Sequence, residues 1–239
     1  MQITVRLFAA LRERAGAEEL AVDGLPTPLD LAGLKRELET RHPELGSLDH
    51  VRGVLGTRYV FDDAPLEPGA VVSLLPPVSG GSGGAGGGPD YEAGVFEIHA
   101  GPLDPGAAQA RVTHPSCGAA VTFTGTTRER NRGQEVVRLD YEAFAEMAGA
   151  EMGRIFAECR ERFGPGPEDD AARTLRMLCL HRTGTVGVGE PSVVIAVASP
   201  HRDAAFRACR FLIDELKTRV PLWKKEVYRA GHHWIGDRS

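Results

Sequence analysis

No two cysteines in this sequence stand at Cys-x-x-Cys spacing, and no Cys/His group has the intervals of a zinc site. The four that exist, Cys117, Cys159, Cys179 and Cys209, lie far apart in the second half of the chain. A metal site therefore has little support, and buried thiols in a reduced, cytoplasmic protein without metal or cofactor are the expectation. Long hydrophobic runs are missing too. No apolar stretch approaches the roughly 20 residues of a membrane-crossing helix, so no membrane partner is expected. The first residues, Met1 to Leu7, alternate and carry Arg6, the pattern of a strand and not of a signal peptide. A large excess of either charge is also missing: the net value is −5 over 239 residues, which argues against bulk nucleic-acid binding.

What is present in excess, in one place, is glycine. Ser82-Gly83-Gly84-Ala85-Gly86-Gly87-Gly88-Pro89-Asp90 reads as a flexible linker. It divides the chain into residues 1–81, a linker at 82–90 and residues 91–239, a length and composition suited to two small domains. Just before it, the apolar run Val71 to Leu75 reads as a buried strand feeding Pro76-Pro77-Val78-Ser79-Gly80-Gly81. Glycine has no side chain to block a narrow tunnel and takes almost any backbone angle. A strand feeding a Gly-Gly tail thus suits a carrier whose last carbonyl enters a partner's pocket; equally, the glycines simply begin the linker. Charge is split unevenly. Residues 1–81 hold eight basic and twelve acidic side chains, whereas residues 201–232 hold eight basic and four acidic. An acidic small domain beside a basic segment suggests a docking pair and an anionic small substrate.

Periodicity gives the elements. Residues 2–8 read as a strand, Ala9 to Ala15 as a short helix ended by Gly16, and Glu19 to Val22 as a second strand. Thr27-Pro28 offers an N-cap with proline in the first helical position. The helix runs with Leu31, Leu34 and Leu38 on one face to about Arg41, and Pro43 closes it. Another strand is expected at Arg58 to Phe61, then turns, then the strand at 70–75. This is the β-grasp order. In the second domain, strands are expected at Gly94 to Ile98, Gly118 to Gly125, Val136 to Tyr141, Thr174 to His181 and Ser192 to Ala198. The strands at 118–125 and 136–141 read as a hairpin around the polar loop 126–133. Helices are expected at Pro105 to Val112, Phe144 to Phe163 and Asp203 to Arg219, with Pro221 breaking the last. Lys225 to Ile235 reads as a terminal hairpin.

Three places carry chemistry. Ser199-Pro200-His201-Arg202 precedes a helix, where free N–H groups favour an anion and His201 and Arg202 add donors; a helix start with a capping histidine and a surface arginine is the plainer reading. Lys217 lies in that helix's last turn and Lys224 seven residues on. Two lysines brought close beside Trp223 would depress one another's pKa, and such a lysine serves as acid–base or nucleophile. Arg128 ends the loop after the strongest strand and suits a bidentate phosphate contact, or solvent.

At these residues the chain resembles a known family, molybdopterin synthase, along nearly its whole length. Phe8-Ala9-Ala10-Leu11-Arg12-Glu13, Leu66-Glu67-Pro68-Gly69 and Pro76 to Gly81 resemble its small, ubiquitin-like sulfur-carrier subunit. Val121 to Gly125 with Arg128, Ser199 to Arg202 with Ala205-Phe206, and Leu216 to Glu226 resemble its large, catalytic subunit. The resemblance implies an α+β chain: a β-grasp (ubiquitin-like) domain joined by the Gly-rich linker to an α/β hammerhead-like domain. It implies sulfur transfer from a thiocarboxylate at Gly81 to cyclic pyranopterin monophosphate, making the dithiolene of molybdopterin. Lys217 and Lys224 would be catalytic, with Lys217 handling the covalent or proton-transfer step. Arg128, His201 and Arg202 would hold the pterin phosphate and ring, and Thr126, Thr127, Lys225 and Glu226 would line the site. The implied partners are an adenylating and sulfurating enzyme acting on Gly81 and a second copy of the catalytic domain, as a dimer or, after cleavage, a heterotetramer. The chain departs from the pattern in one respect. Ser82 follows Gly81, and a thiocarboxylate needs a free carboxyl group, so cleavage after Gly81 is implied, or a carrier half that cannot be charged. Two other functions compete: a non-catalytic sulfur carrier fused to a phosphometabolite-binding domain, and a ubiquitin-like modifier.

Overall fold

The computed structural model describes residues 1–75, 89–164, 174–229 and 231–235; Gly81, its tail and most of the expected linker lie outside them. The chain divides into two compact units, each described by itself below.

The first unit holds β1 (Ile3–Leu7), α1 (Ala9–Ala15), β2 (Glu19–Val22), α2 (Leu31–Arg41), a 3-10 turn (Pro43–Leu45), β3 (Arg52–Leu55), β4 (Arg58–Val60) and β5 (Val71–Leu75). Its sheet runs β2-β1-β5-β3-β4, with β1 and β5 parallel and the other pairs antiparallel. That is a β-grasp. Leu31, Leu34 and Leu38 of α2 share one core with Ile3, Val5, Val72 and Leu74. β3 comes so near this helix that a Cβ on Gly53 would stand 2.3 Å from Cδ2 of Leu31, so any larger residue there would displace that buried side chain. α1 and β2 fall where the sequence puts them. α2 does not start at Thr27-Pro28: Asp30 is its N-cap, its side chain accepting from the amide of Gly33 at 2.7 Å. β3 is a strand the sequence did not announce.

The second unit holds β6 (Val95–His99), α3 (Pro105–Val112), β7 (Ala119–Thr126), β8 (Arg130–Asn131), β9 (Gln134–Ala143), α4 (Ala145–Phe163), β10 (Arg176–Arg182), β11 (Gly184–Gly187), β12 (Pro191–Ser199), α5 (Arg202–Arg219), β13 (Leu222–Tyr228) and β14 (Gly231–Ile235). One sheet runs β6-β10-β12-β7; a second runs β11-β9-β13-β14, with β8 beside β9. The expected hairpin of 118–125 with 136–141 does not form. β7 pairs antiparallel with β12, from Thr126 opposite Pro191 to Ala119 opposite Ser199, while β9 pairs with β11 and β13 in the other sheet.

The apolar run of β12 follows from burial on both faces. Val193, Ile195 and Val197 join the core with α4 and α5, while Val194, Ala196 and Ala198 join the one with α3. Cys159, Cys179 and Cys209 are buried in the first of these cores, and burial raises the pKa of each thiol, that of Cys209 to about 11. The end of α5 is fastened to α4: Arg219 donates to Glu151 at 2.7 Å and through two nitrogens to Glu158 at 2.8 and 2.9 Å. That fixes the turn from which Lys217 projects. Among the described residues no helix is long and apolar enough to cross a membrane.

Candidate active site

A cavity of about 250 Å³ opens in the second unit where the Thr126 end of β7, β9, the end of β10, the last turns of α5 and β13 meet. Its apolar part comes from Phe123, Val136, Leu139, Val193, Ile213 and Leu216. Three cations, Arg128, Lys217 and Lys224, and one carboxylate, Glu226, share it. The local sequence explains the convergence. Pro221 ends α5, so the chain turns from the helix bearing Lys217 into the strand bearing Lys224. On β13 the side chains alternate, which puts Lys224 and Glu226 on one face and Trp223 and Lys225 on the other.

Lys224 is half-buried, and burial lowers its pKa, with Lys217 and Arg128 adding to the shift and Glu226 opposing it. Lys217 is exposed. Lys224 is thus a lysine whose ammonium the surroundings disfavour. Glu226 is 5% exposed and is held by donors: Asn131 Nδ2 at 2.7 Å and Tyr228 Oη at 2.6 Å, both to Oε2. Arg128 donates to Oδ1 of the same Asn131 at 3.2 Å. Tyr141 donates to Ser192 Oγ at 3.2 Å, and burial raises the pKa of its phenol. His181 is buried on β10, its ring 5.1 Å edge-to-face from Tyr141; burial, with the charge of Lys224 adding to it, brings its pKa to about 4.

The expected residues therefore fall into two groups. Thr126, Arg128, Lys217, Lys224 and Glu226 come together at the cavity. Thr127, Lys225, His201 and Arg202 do not line it. Thr127 is 2% exposed, its amide bonded to the carbonyl of Glu190, and its hydroxyl has no hydrogen-bond partner among the described residues. Lys225 lies over the ring of Trp234, 5.4 Å from its centroid, on the other face of β13. Trp223, expected beside the two lysines, is buried on that same face. His201 and Arg202 stand at the opposite end of α5, fifteen residues before Lys217 in the case of Arg202, or about 22 Å along the axis. His201 is the N-cap but makes no side-chain capping bond. Sequence reading missed Asn131, Tyr141, His181 and Ser192. The available signal was polarity out of place: a histidine ending the apolar series Leu175, Met177, Cys179, and an asparagine set among Arg128, Glu129, Arg130 and Arg132.

A cavity with Arg128, Lys217 and Lys224, an apolar lining and a lysine of lowered pKa has the chemistry that suits an enzyme acting on an anion. Known proteins agree. The family described as MoaE protein matches residues 98–219, just over half the chain, and the ThiS family matches residues 5–81. Lys217 falls inside the first match and Lys224 beyond its end. The molybdopterin synthase catalytic subunit of Culex quinquefasciatus is 48% identical over 129 residues, covering 54% of this chain and 77% of that protein. That of Bacillus subtilis (strain 168) is 40% identical over 143 residues, covering 60% and 85%. The X-ray structure of molybdopterin synthase from Staphylococcus aureus superposes with a TM-score of 0.53 at 35% identity, covering 59% of this chain and 96% of that one. The chain belongs to the MoaE family of molybdopterin synthase catalytic subunits, with a ThiS-family sulfur-carrier domain ahead of the catalytic domain. It is an enzyme of molybdenum cofactor biosynthesis.

Proposed function

We propose that residues 91–239 transfer sulfur to cyclic pyranopterin monophosphate, using carriers that end in a thiocarboxylate at Gly81 of residues 1–81. The convergence of Arg128, Lys217 and Lys224 on one cavity carries this reading. Phosphate, thiocarboxylate and the oxyanions that form between them are all negative, and fixed cations in a partly dry cavity stabilise each of them. Lys224 is suited to giving and taking a proton, because its pKa is already lowered. Lys217, exposed at the rim, is the first cation an incoming carboxyl tail meets. Glu226 keeps the cluster from becoming uniformly positive, and the apolar floor receives the face of the pterin.

His201 and Arg202 belong to a complete site only if a second chain supplies them, since their own chain holds them about 22 Å from Lys217. A cavity of about 250 Å³ fits that plan, being smaller than the ~300–1,000 Å³ that usually encloses a small ligand. The working assembly is then a dimer through the catalytic units, with the carrier charged by an adenylating and sulfurating enzyme after cleavage behind Gly81. A tethered carrier would sit near its site at high effective concentration but would hinder the exchange that two sulfur transfers require.

The test is dithiolene formation from the pterin by the full chain supplied with thiocarboxylated carrier. Turnover is expected in the wild type and absent in Lys217→Ala, whose side chain is exposed and whose loss leaves the fold intact. Near-normal turnover in that variant removes Lys217 from the mechanism. Intact mass of the protein from its own cells reads the processing: fragments ending at Gly81, some with sulfur in place of one carboxylate oxygen, are the expected species.

A further inference from the structure

Arg128 and Lys217 offer the cavity donors, Lys224 donates while it is charged, and Glu226 is a charged acceptor whose Oε2 already accepts from Asn131 and Tyr228. His181 differs from all of them. It is 3% exposed, lines the cavity, and has Nδ1 at 2.9 Å from the carbonyl oxygen of Arg182. A carbonyl accepts and never donates, so Nδ1 carries the ring proton and Nε2 keeps its lone pair. No protein donor among the described residues bonds Nε2. The ring cannot turn over without losing the Arg182 carbonyl. Tyr141 also holds its plane, at 71° and 5.1 Å between centroids, and Tyr141 is tied through Ser192 to the carbonyl of Gly125 by two bonds of 3.2 Å. Burial, aided by the charge of Lys224 and opposed by the Arg182 carbonyl, keeps the imidazole neutral down to about pH 4.

We propose that His181 contacts the substrate directly, its Nε2 accepting a hydrogen bond from a ring N–H of the substrate's reduced nitrogen heterocycle. This rests on the function proposed above and adds the reading of the ring to the holding of the phosphate. Cations attract any phosphorylated ligand of the right size. A fixed neutral acceptor separates a ring that presents N–H from one that presents oxygen or C–H, because a mismatched ligand leaves a buried polar atom unpaired.

Two substitutions in the full chain test it, with binding of cyclic pyranopterin monophosphate followed by calorimetry. His181→Gln keeps a neutral amide oxygen near the place of Nε2. His181→Phe keeps the flat ring and the contact with Tyr141 but has no acceptor. Affinity within about threefold of wild type is expected for the glutamine variant, and a loss of about 10- to 100-fold for phenylalanine. Phenylalanine binding as tightly as glutamine, or more tightly, overturns the proposal and shows that His181 only packs. A wild type that does not bind the pterin overturns the proposed function itself, a distinct result. Nitrogen NMR of the wild type decides the matter without any variant. The unprotonated Nε2 resonance is expected to move when the pterin saturates the site; an unmoved resonance, or a proton found on Nε2 in the free protein, overturns the proposal.

Discussion

Nδ2 of Asn131 donates to Oε2 of Glu226 across 95 residues of sequence, at 2.7 Å. The bond ties the polar loop after β7 to β13, and Arg128 leans on the same asparagine at 3.2 Å. One amide thus positions an arginine and a buried carboxylate of opposite charge in the same cavity. In Asn131→Ala, Glu226 keeps only Tyr228 as a donor and Arg128 loses its anchor. A stability loss of about 1–3 kcal/mol in urea unfolding is expected, the cost of one unsatisfied buried group. Turnover should fall about tenfold, mostly through KM, if Arg128 has the binding part proposed for it. An unchanged KM would separate Arg128 from the substrate.

His181 makes the stability of the catalytic unit depend on acid. Its folded pKa of about 4 lies below the ordinary value of 6.5. The unfolded chain therefore takes up the proton first as pH falls, and the folded state loses ground between about pH 6.5 and pH 4. The stabilisation is whole above that window. Its loss across the window is about 3 kcal/mol at most, from the difference of the two values. Urea midpoints measured from pH 7 to pH 4 should fall more steeply for the wild type than for His181→Gln, which has no titrating ring. Parallel curves would place the acid sensitivity elsewhere.

The sequence was legible where local chemistry decides the structure and opaque where distant pairing does. α1 ends at Gly16 with φ of 65°, and α3 begins at Pro105 behind the cap of Asp104, as turn and cap residues indicate. The lysines at 217 and 224 were readable because a helix, a proline and a strand lie between them in a fixed order. The partners of β7 were not readable. Two apolar segments around a polar loop look like a hairpin, yet β7 lies at the edge of the other sheet against β12, about seventy residues away. β3 and β11 are short and weakly patterned, and exist because a neighbour accepts their hydrogen bonds. Asp30 displaced Thr27 as a cap because its carboxylate reaches Gly33 directly. His181 was missed because it touches Tyr141 of the other sheet, and Asn131 because its partner Glu226 lies 95 residues further along the chain.

Lys224 carries an unfavourable charge for the sake of the site. Its pKa in the folded state is lowered, first by burial and then by Lys217 and Arg128. Below that value the ammonium is harder to hold folded than unfolded, so it costs stability at neutral pH, and the cost is relieved as pH rises toward the ordinary lysine value. Lys224→Met keeps the length of the side chain and removes the charge. It should raise the thermal midpoint of the catalytic unit at pH 7, with the gain shrinking toward pH 10, while turnover falls by about 100-fold or more. A variant that loses activity and is also less stable at pH 7 would mean that the ammonium is satisfied in the folded protein.

The distance between Arg202 and Lys217 allows the assembly to be tested by mixing two inactive proteins. Both lie on α5, about 22 Å apart along a rigid helix, so no rearrangement within one chain brings them to one substrate. If each site takes Lys217 from one chain and Arg202 from the other, Lys217→Ala and Arg202→Ala are each inactive alone, because every site in either homodimer lacks one residue. Co-expressed in equal amounts, they form mixed dimers in half of all cases. In a mixed dimer one site carries both substitutions and the other carries neither. One intact site in half the dimers restores about a quarter of wild-type turnover. Co-expression that restores nothing, with mixed dimers verified by mass, would mean that Arg202 acts at the end of its own helix and not in the site that holds Lys217.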